Sequence, residues 1–183
     1  MSVKRVARSV RDAATNEGKS STVSILQHPL HPMVVNFPIA FLSGALATDL
    51  AYLVTGSAVW AQFSFWLCAG GLTMGLLAAL LGMTDFFTMH EARRHVSGWS
   101  HFISGIMLLS LAAANTRHRW GDVEDVWPWG LLLSAVGTFV VGVTGWLGGT
   151  LTFRHDIGTY GDEFKGEDSI GDDDDDSDSP PKD

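Results

Sequence analysis

Charge along this chain comes in blocks, not in a helical period. No Asp, Glu, Lys or Arg occurs from Leu50 to Thr84, and none from Val126 to Phe153. A helix on the surface of a soluble core alternates its apolar stripe with a charged face. Uncharged stretches of this length are predicted instead to lie in lipid, where about 20 apolar residues cross roughly 30 Å of hydrocarbon. Four spans are predicted: Val34 to Thr55, Trp60 to Met83, Val96 to Asn115 and Trp127 to Leu151. Strands are excluded because an open sheet edge would leave backbone donors and acceptors unpaired in lipid. The expected fold class is therefore all-α: an integral membrane four-helix up-down bundle with a disordered acidic C-terminal tail.

The flanks divide the chain. Residues 1–25 are read as a basic arm, 26–158 as the four-span domain and 159–183 as the tail. The formal net charge of −8 belongs to the tail side. Asp156 to Asp183 hold twelve acids against Lys165 and Lys182, and the remaining body carries a net +2. The run Asp172 to Asp176 repels itself and has no apolar neighbours to offset ordering entropy. In the arm, Val3, Val6 and Val10 fit one face of a short basic helix on anionic lipid, beside the alternative of a flexible arm. Neither tail nor body resembles a nucleic-acid surface, which would concentrate Lys and Arg on one face. Cys68 is the only cysteine, which excludes disulfides, thiolate zinc sites and iron–sulfur clusters within the chain.

Lys and Arg set the expected orientation. Ten lie in the arm, the middle loop and the C-terminal segment; two, Arg117 and Arg119, lie in the third loop. By the positive-inside rule both termini should be cytoplasmic, in a prokaryotic inner membrane. Trp60, Trp127 and Trp129 are expected at the outer rim and Trp99 at the inner one. Gly71-x-x-x-Gly75-x-x-x-Ala79, Gly145-x-x-x-Gly149 and Ala40-x-x-x-Gly44-x-x-x-Thr48 are read as faces along which helix backbones approach closely.

Candidate chemistry gathers at one end. His28 and His31 precede the first span, His90 and His95 lie in the middle loop, His101 opens the third span and His155 follows the fourth. Only His118 falls on the other side. Imidazole is a ligand for haem iron, zinc and copper, and a bundle assembles such sites from facing helices. The cofactor candidates are His28, His31, His101 and His155, with pairs His31/His101 or His101/His155 suited to a haem b. Asp85 and Arg154 are the supporting polar residues. The pattern His28-Pro29-x-His31-Pro32 predicts a stiff extended segment presenting both rings the same way, against a simpler reading in which the prolines start the first span. Asp49 is an ionisable residue inside the first span. It is expected to hydrogen-bond Ser or Thr hydroxyls or to pair with Arg117, with a proton-relay role as the alternative.

At these residues the chain resembles a known family. His28-Pro29-Leu30-His31-Pro32-Met33-Val34, then Phe37-Pro38-Ile39-Ala40, is similar to the opening signature of the bacterial and archaeal membrane family called domain of unknown function 2231. Gly82-Met83-Thr84-Asp85-Phe86, His101, and Gly145-Trp146-Leu147-Gly148-Gly149 with Arg154-His155 extend the likeness over about residues 26 to 158. Asn36 stands where relatives often have His, and Asp156-Ile157 where they often have Gly-Val. The resemblance implies a four-span inner-membrane protein and brings no established activity. Relatives joined to redox modules such as Rieske-type domains favour haem or electron transfer, although one cysteine cannot build such a cluster here.

Two functions follow. One is a haem b or transition-metal protein of electron transfer, with a redox partner. The other is a non-enzymatic membrane scaffold or small subunit, including a homo-oligomer, whose His, Asp85 and Arg154 cap helix ends. No nucleophile triad, phosphate loop or Cys-x-x-Cys-His is present, so an enzyme is the weaker expectation. A small proton-coupled transporter would rest on Asp49 and Asp85 alone, without an internal repeat.

Overall fold

The computed structural model describes residues 23–25 and 28–155. Most of the basic arm and all of the acidic tail lie outside the described residues, so the disorder expected of the tail concerns residues not described. A two-residue antiparallel bridge opens the chain: β1 (Ser24–Ile25) pairs with β2 (His28–Pro29). Helices follow: α1 (Leu30–Val34), α2 (Asn36–Thr55), α3 (Ala58–Thr88), α4 (His90–Arg94), α5 (Val96–His118) and α6 (Trp129–His155).

Four helical stretches are long and apolar enough to cross a membrane: Leu30–Thr55, Ala58–Thr88, Val96–His118 and Trp129–Arg154. The side chains are sorted as lipid requires. Ala45, Ala61, Cys68, Ala78 and Ala112 fill the interior, while Trp66, Leu80, Phe139 and Trp146 are exposed. A water-soluble bundle would bury the large residues. Here hydrocarbon solvates them, and small residues bring the helix backbones together. The protein is a multi-pass, all-α membrane bundle, as the uncharged stretches predict.

Connections fix the topology. Gly56 caps α2 in the left-handed region at φ 65°, its N–H bonded to Tyr52 O, and Ser57 leads directly into α3. So short a link forces α2 and α3 antiparallel. Helix α4 returns the chain to α5, and a loop over 119–128 leads into α6. The α2–α3 and α5–α6 hairpins are the densest pairs, and they meet along α3–α5 and α2–α6. Both described ends of the chain thus lie at one end of the bundle, called here the terminal end.

The spans exceed their predicted bounds because helix continues past the apolar core. Helix α3 runs on to Thr88 and carries Asp85 in its last turn. At Pro32 the His-Pro segment follows the simpler of its two readings. His28 and Pro29 are extended, but His31 and Pro32 sit within α1. Pro32 is in the first helical turn, where a missing N–H removes no intrahelical bond. The expected extended segment therefore ends at Pro29, and His31 is placed by a helix.

Small-residue faces are used unequally. A Cβ on Gly71 would come 2.7 Å from Leu42 Cδ2, and one on Gly75 would come 2.8 Å from Leu109 Cδ2. On α6, a Cβ at Gly145 would meet nothing within 4 Å, and one at Gly149 only Phe153 of its own helix. The Gly145/Gly149 face therefore packs against no neighbouring helix, contrary to the sequence reading: α6 turns it away from α2 and α5. Gly71→Val should lower the thermal unfolding midpoint in detergent, with a loss of about 1–3 kcal/mol from overpacking. Gly145→Ala should leave that midpoint unchanged.

Candidate functional site

At the terminal end, two histidines face each other across the bundle. His31 comes from α1 and His101 from the first turns of α5. Their ring centroids are 6.2 Å apart and the planes stand at 87°. Each ring is tied to the backbone of a neighbouring helix. His31 Nδ1 donates to Ala78 O of α3 at 2.8 Å, and His101 Nδ1 donates to Thr144 O of α6 at 3.0 Å. A carbonyl oxygen only accepts, so Nδ1 carries the hydrogen in both rings. In the neutral imidazole that leaves the lone pair on Nε2, and neither Nε2 has a hydrogen-bond partner among the described residues. A backbone carbonyl behind Nδ1 is the arrangement that orients a metal-ligating histidine.

Two glycines make room for the rings. A Cβ on Gly82 would lie 2.6 Å from His31 Cε1, and one on Gly148 would lie 3.0 Å from His101 Cε1. Neither glycine stood out in the sequence as part of a site. The signal was present in their spacing, since Gly82 is four residues past Ala78 and Gly148 four past Thr144. Each histidine thus lies over one helical turn, bonded to its first carbonyl and packed on its last residue. Two further features border the pair: the Oγ1 of Thr144 is buried without a partner, and a Cβ on Gly105, one turn beyond His101, would meet nothing within 4 Å.

The other candidates are placed differently. The backbones of His28 and His155 lie at the same end, in β2 and at the close of α6, but their rings are not described. Asp85 is half-buried, and its Oδ1 accepts the Val23 N–H at 3.2 Å, which ties the β1 segment to α3. Arg154 is exposed and makes no bond to Asp85 among the described residues. His118 is at the opposite end, with Nε2 3.4 Å from Asp125 Oδ2. Among the described residues, no three His, Cys, Asp or Glu side chains form a group able to hold a metal ion.

Asp49 has a partner, and it is not Arg117. Arg117 is exposed, whereas Arg119 and Asp49 are both fully buried. Arg119 Nη1 and Nη2 reach Asp49 Oδ1 and Oδ2 at 2.6 and 2.7 Å in a two-pronged ion pair. Ser64 Oγ donates to Asp49 Oδ1 at 2.5 Å and accepts from Arg119 Nη1 at 2.7 Å. Asn115 Oδ1 accepts the Arg119 Nε–H at 2.9 Å. Ser134 Oγ accepts from Asn115 Nδ2 and Arg119 Nη2 at 2.9 and 3.1 Å. Helices α2, α3, α5 and α6 each supply a member. The correction has a geometric cause: Arg119 follows the end of α5, one turn after Asn115, and folds back into the bundle. Gly130 clears its path, since a Cβ there would sit 3.0 Å from Arg119 Nη2.

The two polar centres are separate. Leu42, Ala112 and Val141 form a buried apolar cluster flanked by Ile39, Leu72 and Leu108. In sequence each of the three core residues lies between the ion-pair members and the histidine-end residues of its own helix. Ser134 and Thr144, one from each centre, are ten residues apart on α6, about 15 Å along its axis. Asp49 is thus bonded into an ion-pair network on the far side of an apolar layer from His31, His101 and Asp85.

A comparison with protein families matches residues 27–161 to the family described as predicted membrane protein (DUF2231). No curated protein and no solved structure matches the chain.

Asp49→Leu or Arg119→Leu alone should destabilise the bundle by about 3–5 kcal/mol, because each strands a buried charge. The double variant should recover part of that loss by removing both charges. Unfolding by denaturing detergent, followed by circular dichroism, measures all three.

Proposed function

The chain belongs to the DUF2231 family of membrane proteins, and we propose that it is a haem b protein of electron transfer in which His31 and His101 would hold the haem. The observation that carries the reading is the pair itself: two backbone-anchored imidazoles facing each other from opposite hairpins. Two imidazoles bonded to one metal at about 2.0 Å each have centroids roughly 6 Å apart, and the observed separation is 6.2 Å. A porphyrin would supply the four remaining nitrogens, which suits a centre that the protein equips with two donors. The unpartnered Thr144 hydroxyl and the open space at Gly105 fit a group seated beside the rings. When bound, haem b supplies a one-electron couple.

This chain's own residues do the holding and tuning. Ala78 O and Thr144 O fix the tautomers and strengthen Nε2 as a donor. Gly82 and Gly148 admit the rings. Phe86, stacked on Phe102 at 4.8 Å, and Met89 and Ala92 close the terminal end against water. His28 and His155 are the alternative donors in this reading. We take residues 1–25 and 159–183 as the segments that a redox partner or a second copy would bind. We take the membrane to be the prokaryotic inner membrane, with the termini cytoplasmic. Arg119 is neutralised inside the bundle, so one exposed cation, Arg117, remains on the far side.

Protein purified from haem-replete cells should show a Soret band, a sharpened α band on reduction, and one haem per chain. His31→Ala and His101→Ala should each lose the six-coordinate spectrum. Near-perpendicular imidazole planes should give the highly anisotropic low-spin ferric resonance, not the rhombic one of parallel planes. A folded protein with neither a Soret band nor bound iron would overturn the proposal. The two rings would then serve as ties between helices, as the scaffold reading has it.

A further inference from the structure

The terminal end carries a second arrangement that the histidine pair does not use. Helix α4 is one turn long and held tightly. Its inner side, Met89 and Ala92, is buried against Phe86, Phe102 and Leu151. A Cβ on Gly98 would collide with the Ala92 carbonyl oxygen, so α4 lies hard against α5. Trp99 Nε1 donates to Arg93 O at 3.1 Å, fixing the backbone that carries Arg93 and Arg94. Arg93 donates from Nη2 to His90 Nδ1 at 3.3 Å. It has no carboxylate partner among the described residues.

Arg154 reaches the same rim from α6. Leu151 packs on the Phe86–Met89–Ala92 cluster, and Arg154 lies one helical turn further on along that side. It is exposed and also lacks a carboxylate partner among the described residues. Around these cations the surface is hydrocarbon-facing: Phe87, Val96, Trp99 and Phe153 are all exposed. Arg93 and Arg154, without a carboxylate partner among the described residues and held at the margin of an apolar wall, call for an anion that brings its own hydrocarbon.

We propose that α4 and the end of α6 form a binding site for an anionic phospholipid, with Arg93 and Arg154 around its phosphate and Trp99 at the boundary between headgroup and chains. Guanidinium groups offer paired N–H donors to phosphate oxygens. Indole prefers the boundary between polar and apolar layers. A free phosphate would satisfy the arginines and leave Phe87, Val96 and Trp99 uncovered, so the lipid is the better match. The site does not depend on any group bound at the histidines.

The full chain is reconstituted in phosphatidylcholine vesicles containing a fraction of brominated phosphatidylglycerol or brominated phosphatidylcholine. The Trp99 signal is the difference between wild type and Trp99→Phe. Brominated phosphatidylglycerol should quench Trp99 more strongly than brominated phosphatidylcholine. The preference should fall about five-fold for each arginine removed in Arg93→Gln and Arg93→Gln/Arg154→Gln. Soluble glycerol phosphate should leave it unchanged. Equal quenching by the two lipids in wild type overturns the proposal, as does a preference kept in the double variant or abolished by glycerol phosphate. If the double variant does not fold, a salt titration of wild type decides. The preference must decline as screening increases, and its persistence at high salt overturns the proposal.

Discussion

A carboxylate and a guanidinium buried together in a membrane bundle constrain everything around them. Neither can be left alone in lipid, and separating them would strand a charge. Asp49 and Arg119 therefore fix where α2 stands relative to the end of α5. Ser64 and Asn115 satisfy the remaining donors and acceptors, and Ser134 brings in α6. One hairpin supplies Asp49 and Ser64, and the other supplies Asn115, Arg119 and Ser134. The pair thus does what hydrophobicity cannot do between helices already solvated by hydrocarbon: it selects one partner and one register. The small residues around the pair follow, because helices held this closely leave room there for Ala45, Ala61 and Cys68.

From that lock the two hairpins run toward the terminal end, where their ties are of another kind. Leu42, Ala112 and Val141 give an apolar layer, crossed by one long bond from Thr138 Oγ1 to Leu42 O at 3.4 Å. Beyond it, His31 belongs to the α2–α3 hairpin through Ala78, and His101 belongs to the α5–α6 hairpin through Thr144. The imidazoles meet across the seam without bonding each other. The bundle is thus locked by an ion pair at one end and joined by facing imidazoles at the other. The same layer argues against a proton path, since Asp49 is spent on Arg119 and no polar chain of described residues links it to Asp85.

Much of this was legible in the chain because lipid allows few solutions. Long uncharged stretches can only be spans, and alternating spans bring His31 and His101 to one end. What was not legible depended on where helices stop. Arg117 and Arg119 differ by two residues, yet one is exposed and the other buried, because α5 ends at His118 and the chain turns back at Arg119. Which of the two proline readings applied also depended on where a helix begins. Pro32 in a first helical turn leaves the helix intact, so His31 rides on α1 and not on an extended segment. The Gly145/Gly149 spacing was indistinguishable from that of Gly71/Gly75, since a motif records which residues are small and not which way the helix is turned.

Gly82 and Gly148 give the most instructive case. In a membrane helix a glycine is ordinarily read as a packing residue between helices, and both would pass for that. Each instead lies four residues past a carbonyl that receives an imidazole N–H, and each would strike that same ring if it had a Cβ. The repeat of one device on two unrelated helices, α3 and α6, is hard to derive from packing alone. A ring that only filled space would need the glycine but not the carbonyl, and a ring that only tied helices would need the carbonyl but not the facing partner. Both features, used twice on facing rings, fix the tautomer and orientation of each ring.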